Sequence, residues 1–249
     1  MLLAFDPWQG VADVEWAIAI VLFGIWYAWA ARHFAVPLWR RACFFSGLLI
    51  IGLALLSPIE HLALNSMLSF HLLQNVMLAD WAPPLLVLGL TSRMAAAAER
   101  LDVVRRMTLP GVAITYWLAV WYVVHIPGVY GYALDHRWAL GIEHLLFVTA
   151  GLAFWWPALV PGRMRHGSRV IYLAAAFFLA APVALLIALA GSTIYPYYDT
   201  TPHLWGLTPL EDQSIGGMLM AVEQSVILFV AAFWAFAAMM DEDAVGSPS

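Results

Sequence analysis

The stretch EHLALNSMLSFHLLQNVMLADWAPPLLVLGL, residues 60–90, decides how the rest of the chain is read. It is apolar enough to cross a bilayer, yet it carries His71, Gln74, Asn75 and Asp80, polar side chains that call for partners or a function in hydrocarbon. In a helix, His71, Gln74 and Asn75 stand at i, i+3 and i+4 on one face. That face has to look at protein rather than lipid. Pro83 and Pro84 then remove two backbone donors, so a kink or break is expected there, with neighbouring helices covering the freed carbonyls.

Composition extends this reading to the whole chain. Of the 249 residues, 63% are hydrophobic and 11% charged, and the mean hydropathy is +0.82, more apolar surface than one soluble core hides. Continuous apolar runs of about 20 residues fit helices crossing roughly 30 Å of hydrocarbon, and they lack the alternation of a β-barrel. The expected fold is therefore all-α, a polytopic bundle of seven transmembrane helices in a single domain, residues 1–249. Its spans are expected at about 14–31, 42–56, 64–90, 110–125, 136–159, 170–190 and 214–240. Ser57-Pro58 should end the second span, Pro110 should open the fourth, Asp135 should cap the fifth, and Trp155-Trp156-Pro157 should close it. Residues 1–13 hold Asp6 and Asp13 and no basic group, which argues against a cleaved signal peptide.

The chain has no lysine, and its eleven arginines are unevenly spread. Ten (Arg32, Arg40, Arg41, Arg93, Arg100, Arg105, Arg106, Arg163, Arg165 and Arg169) fall after the first, third and fifth spans, and only Arg137 falls on the other side. The positive-inside rule then puts the N-terminus outside and the C-terminus, with Asp241, Glu242 and Asp243, in the cytoplasm. Trp138, Tyr195, Tyr197, Tyr198 and Trp205 are expected at the membrane interfaces. The absence of lysine excludes a retinal Schiff base, the single Cys43 excludes an intramolecular disulfide, and no basic patch suggests nucleic acid.

On that topology His61, His71, His125, His136, His144 and His203 lie toward the outer side, together with Glu60, Asp135, Glu143, Asp199, Glu211, Asp212 and Glu223. His71 and His144 each sit about two turns into their spans, and Glu223 two to three turns into the last. An outward His/carboxylate metal site follows: His71 and His144 approach each other, Glu143 or Glu223 is a third ligand or neighbour, and His125 is a further candidate. Imidazole suits copper, zinc, iron and nickel. Gln74 and Asn75 are expected behind the ligands, with Asn75 holding an imidazole tautomer. His61, His136 and His203 read as solvated loop residues. Met218 and Met220 could offer thioether sulfur to Cu(I), although methionine at helical spacing more often fills a core. Asp80 reads as a proton-relay or water-cavity residue. Against a metal site stands plain helix–helix hydrogen bonding, worth about 1 kcal/mol or less per contact. Two functional rivals are a b-type haem carrier ligated by His71 and His144, and a metal or small-molecule transporter.

Several motifs occur together and in order: Ser57-Pro58-Ile59-Glu60, His71-Leu72-Leu73-Gln74, Ala82-Pro83-Pro84-Leu85-Leu86, His125-Ile126-Pro127, Glu143-His144-Leu145-Leu146-Phe147, Gly151 to Pro157, and Pro209 to Gly217. Jointly they resemble the CtaG-like family of bacterial cytochrome c oxidase assembly factors, over about residues 57–220. The resemblance implies a non-enzymatic, multi-pass protein of the bacterial inner membrane that helps mature a haem–copper oxidase, with oxidase subunits as partners and copper bound or delivered on the outer side. The family commonly has histidine where this chain has Asn75 and Leu140. The resemblance thus leaves either a site reduced to His71, His144 and a carboxylate, or a scaffold that no longer binds metal.

Overall fold

The computed structural model describes the backbone of residues 14–246 and side chains to Met240; the reading of residues 1–13 lies outside that range. All regular structure among the described residues is helical. The chain runs through α1 (Val14–His33), α2 (Leu38–Leu55), α3 (Pro58–Asn65) and α4 (Leu68–Val76) into a π-helical turn (Met77–Trp81) and α5 (Ala82–Leu88). Two short helices follow, α6 (Ser92–Ala98) and α7 (Asp102–Met107), then α8 (Pro110–Val124) and α9 (Pro127–Asp135). The long α10 (Arg137–Leu159) and α11 (His166–Leu189) lead through a 3-10 turn (Pro196–Thr200) to α12 (Pro209–Gly246). The α4–π–α5 column stands in the middle, packed by α2, α10 and α12, while α11 lies along α12.

Among the described residues five helices are long and apolar enough to cross a membrane, and there are up to seven crossings if each of two bent pairs counts as one. The pairs are Leu68–Leu88 with Ser92–Ala98, bent by 114°, and Pro110–Val124 with Pro127–Asp135, bent by 75°. At 15 residues α8 is only about 22 Å long, short of the hydrocarbon thickness without its partner. The chain is a multi-pass helical membrane protein. α1 marks its lipid-facing rim, with 17% of its apolar window buried.

The two ends of the bundle are chemically different. At one end arginines tie the loops together: Arg40 donates to the carbonyls of Leu88 and Leu90 at 2.8 and 2.5 Å, and Arg163 donates to the Thr108 carbonyl at 3.0 Å and pairs with Glu99. The connections α1–α2, α5–α8 and α10–α11 therefore share that end. At the opposite end the segment before α12 folds back over the bundle through hydroxyls. Tyr195 donates to the His125 carbonyl at 3.0 Å, Tyr197 to Leu64 at 2.9 Å, Tyr198 to Ala63 at 2.6 Å and Thr201 to Ser66 at 2.8 Å. Tyr195 and Tyr198 are consequently buried, not interfacial as expected from the sequence, whereas Trp138 and Trp205 are exposed.

Local chemistry moved several boundaries. The expected third span is interrupted at Met67, which is extended, because the Asp212 carboxylate takes the N–H groups of Leu68 and Ser69 and starts a new helix there. Asp135 does not cap α10; it ends α9, and α10 starts after His136 without a side-chain cap. The last helix begins five residues earlier than its hydropathy suggested. Thr208 and Glu211 form a reciprocal capping box, Thr208 N–H to Glu211 at 2.8 Å and Glu211 N–H to Thr208 Oγ1 at 3.3 Å, with Pro209 suited to the first turn.

The proline pair does not break the central column. Pro83 and Pro84 occupy the first turn of α5, where missing donors matter least, and the π turn just before them absorbs the mismatch, with Ala82 N–H donating to the Met77 carbonyl. The Ala79 carbonyl, four residues before Pro83, has no helical donor to meet, and α10 covers it at Gly151. A Cβ there would collide with the Ala79 carbonyl and with Pro83. This close approach of α10 brings Glu143 and His144, about two turns before Gly151, against α4.

Candidate functional site

Leu68, Leu72 and Val76 anchor α4 in the apolar core, and the same helix turns His71 and Asn75 inward; all five are fully buried or nearly so. Opposite them α10 supplies Glu143 and His144, 4% and 0% exposed, and the end of α8 supplies His125, 6% exposed. These residues are among those the sequence singled out, and the structure brings His71 and Glu143 together. His71 Nε2 is 3.4 Å from Glu143 Oε1. His71 is also within electrostatic reach of both His144 and His125.

Hydrogen bonding fixes how the His71 and His125 imidazoles present themselves. The Tyr198 hydroxyl donates to the Ala63 carbonyl at 2.6 Å, so its oxygen can only accept from His71 Nδ1, 3.1 Å away. Burial raises Tyr198 well above the usual tyrosine range, with Tyr197, Glu143 and Asp212 adding to it, so this hydroxyl keeps its proton. His71 therefore carries a proton on Nδ1, and its Nε2 faces Glu143. His125 is set the same way: Nδ1 lies 2.6 Å from the Trp121 carbonyl, which only accepts, so Nε2 carries the lone pair. Neither Nε2 has a hydrogen-bond partner. A lone pair facing a carboxylate oxygen is repulsive unless a proton or a cation lies between them.

Around this pair, other buried polar atoms lack hydrogen-bond partners: both ring nitrogens of His144, both amide atoms of Asn75 and Glu143 Oε1. The Tyr130 ring lies between the imidazoles, 4.8 Å from His71 and 6.3 Å from His125. Burying this many polar atoms unpaired is rare in folded proteins. Among the described residues no three His, Cys, Asp or Glu side chains already surround one metal-sized point. What is prearranged is the pair His71 Nε2 and Glu143 Oε1, whose separation matches the edge of about 3.4 Å between two ligands of a tetrahedral ion bound at roughly 2.0–2.1 Å.

Other expectations are corrected by placement. Gln74 does not back the imidazoles; its amide donates to the Ala54 carbonyl at 2.8 Å and to Glu60, joining α2, α3 and α4. The tautomer of His71 is held by Tyr198 rather than Asn75. Glu223 makes its contacts elsewhere, accepting from the Trp81 indole at 2.7 Å and facing Asp80. Sequence reasoning missed Tyr130 and the inward role of Tyr198. Nothing local marks Tyr130, whereas the three tyrosines of Tyr195-Pro196-Tyr197-Tyr198 in one loop were a visible signal of a lid rather than a belt.

The model of the family described as cytochrome c oxidase caa3 assembly factor matches residues 21–242. No curated protein and no solved structure matches the chain. With most of its length covered, the chain belongs to that family of assembly factors.

Proposed function

We propose that this assembly factor holds a copper ion as cargo between His71 and Glu143, with His144 and His125 completing the site, and hands it to subunits of a cytochrome c oxidase. The observation that carries the reading is the pair of imidazoles each tied through Nδ1, with Nε2 outside any hydrogen bond and that of His71 3.4 Å from a buried carboxylate. Neutral imidazole with its other nitrogen tied to a neighbour is the form that binds metal, and imidazole suits copper. The bound ion would satisfy lone pairs that the protein leaves unpaired. His144, free of any hydrogen bond, can turn onto the ion without breaking one.

In this reading the protein spans the inner membrane of a bacterium seven times, both bent pairs counting as spans. The arginine-tied end faces the cytoplasm and the tyrosine-covered end faces outward. The charge bias supports it, ten arginines to one. Titration of detergent-purified protein with Cu(I) against a competing chelator tests the proposal. One ion per chain is expected, with affinity lowered at least tenfold in His71→Ala and in His144→Ala. Binding unchanged in both variants would leave only a scaffolding role in assembly. A reporter that matures only in the cytoplasm, fused after Ser249, should be active, and the same reporter in the loop before Pro209 should not.

A further inference from the structure

A second buried polar centre lies about nine residues further along the central column, roughly 13 Å from His71 by helical rise. The π turn presents Asp80, 2% exposed, and Trp81 toward α12 and α8. The Asp80 and Glu223 carboxyls face each other. Trp81 Nε1 donates to Glu223 Oε2 at 2.7 Å, and Trp117 of α8 stands beside Asp80. Asp80 Oδ2 and Glu223 Oε1 have no donor, and the buried Trp117 indole, 1% exposed, directs its N–H at Asp80. Among the described residues no arginine or histidine acts on either carboxyl; the groups facing them are each other, Trp81 and Trp117.

Two facing carboxylates cannot both be ionised in a low-dielectric interior without a cation. One proton supplies the missing donor for both. The indole N–H of Trp117 decides between a proton and a metal ion: a donor aimed at the site repels a bare cation but suits a water that accepts from it and donates to a carboxylate. We infer that Asp80 and Glu223 form a proton-binding site, sharing one proton with the help of a bound water, separate from the histidine centre and independent of whether that centre takes copper. Buried acid pairs of this kind take up and pass on protons within membranes. Indole N–H groups only donate, so the tryptophans of α8 can orient acceptors along the column but carry no proton themselves. Trp117, Trp121 and His125 follow one another at i+4 spacing, with rings 5.8 and 5.0 Å apart, and run from Asp80 to the histidines. The Trp121 indole is unpaired.

Infrared spectra of the unmodified protein, without added metal, test this directly. At neutral pH a protonated-carboxyl band is expected that shifts in heavy water and bleaches as pH is raised. It should change frequency or intensity in both Asp80→Asn and Glu223→Gln and be lost in the double variant, with thermal unfolding in detergent confirming that each variant is folded. Absence of the band in the unmodified protein, or a band that neither single substitution alters, overturns the proposal. Neither outcome depends on copper, so loss of the copper reading and loss of this one are told apart.

Discussion

Two polar regions lie within two turns of each other on α4 and are built on opposite principles. At its start, the fully buried Asp212 carboxylate accepts from the N–H groups of Leu68 and Ser69 at 2.7 and 3.3 Å and from the Ser69 hydroxyl at 2.5 Å. One to two turns on, Asn75, His144 and the Nε2 atoms of His71 and His125 are also buried and have no hydrogen bonds. The first region is satisfied and holds a helix end in place. The second finds no hydrogen-bond partner within the described residues, and such burial lowers stability unless an ion or a water supplies the partner.

The comparison breaks most visibly if Asp212 is replaced. Asp212→Ala should cost about 3 kcal/mol or more, because it strands two buried N–H groups and a hydroxyl, and thermal unfolding in detergent reads the loss. Gly151→Val probes a third arrangement, a freed carbonyl covered by backbone, and should cost about 2 kcal/mol through the collision with Ala79 and Pro83. Tyr198→Phe sharpens the contrast, since it removes the acceptor for His71 Nδ1–H while leaving the ring in place. Copper affinity is expected to fall about tenfold. The smallest effect belongs to the unsatisfied region: Asn75→Leu and His144→Leu should each change unfolding by less than about 1 kcal/mol, as no hydrogen bond is lost. A loss in either as large as that of Asp212→Ala would show that the two regions do not differ.

Much of the fold was legible because hydrocarbon imposes one rule on every crossing helix. Apolar length, the arginine bias and the polar face of residues 71–75 were all readable from residue order. The interruption at Met67 was not, because the acid that causes it is 144 residues away. The early start of α12 was legible in Thr208-Pro209-Leu210-Glu211, a capping signal that hydropathy overlooks.

The site divides in the same way. The sequence by itself determined that His71, Glu143 and His144 had to be buried against protein, since their helices are too apolar to lie elsewhere and their side chains too polar to face lipid. Only the tertiary structure decided which nitrogen of each imidazole is bare, that Tyr198 and the Trp121 carbonyl make it so, and that Glu223 belongs with Asp80 rather than with the histidines. Depth in a span is a property of residue number, whereas the direction of a side chain depends on how helices rotate and bend against one another. Here the π turn before Pro83 and the Gly151 contact set that rotation, and neither can be read from residue types alone.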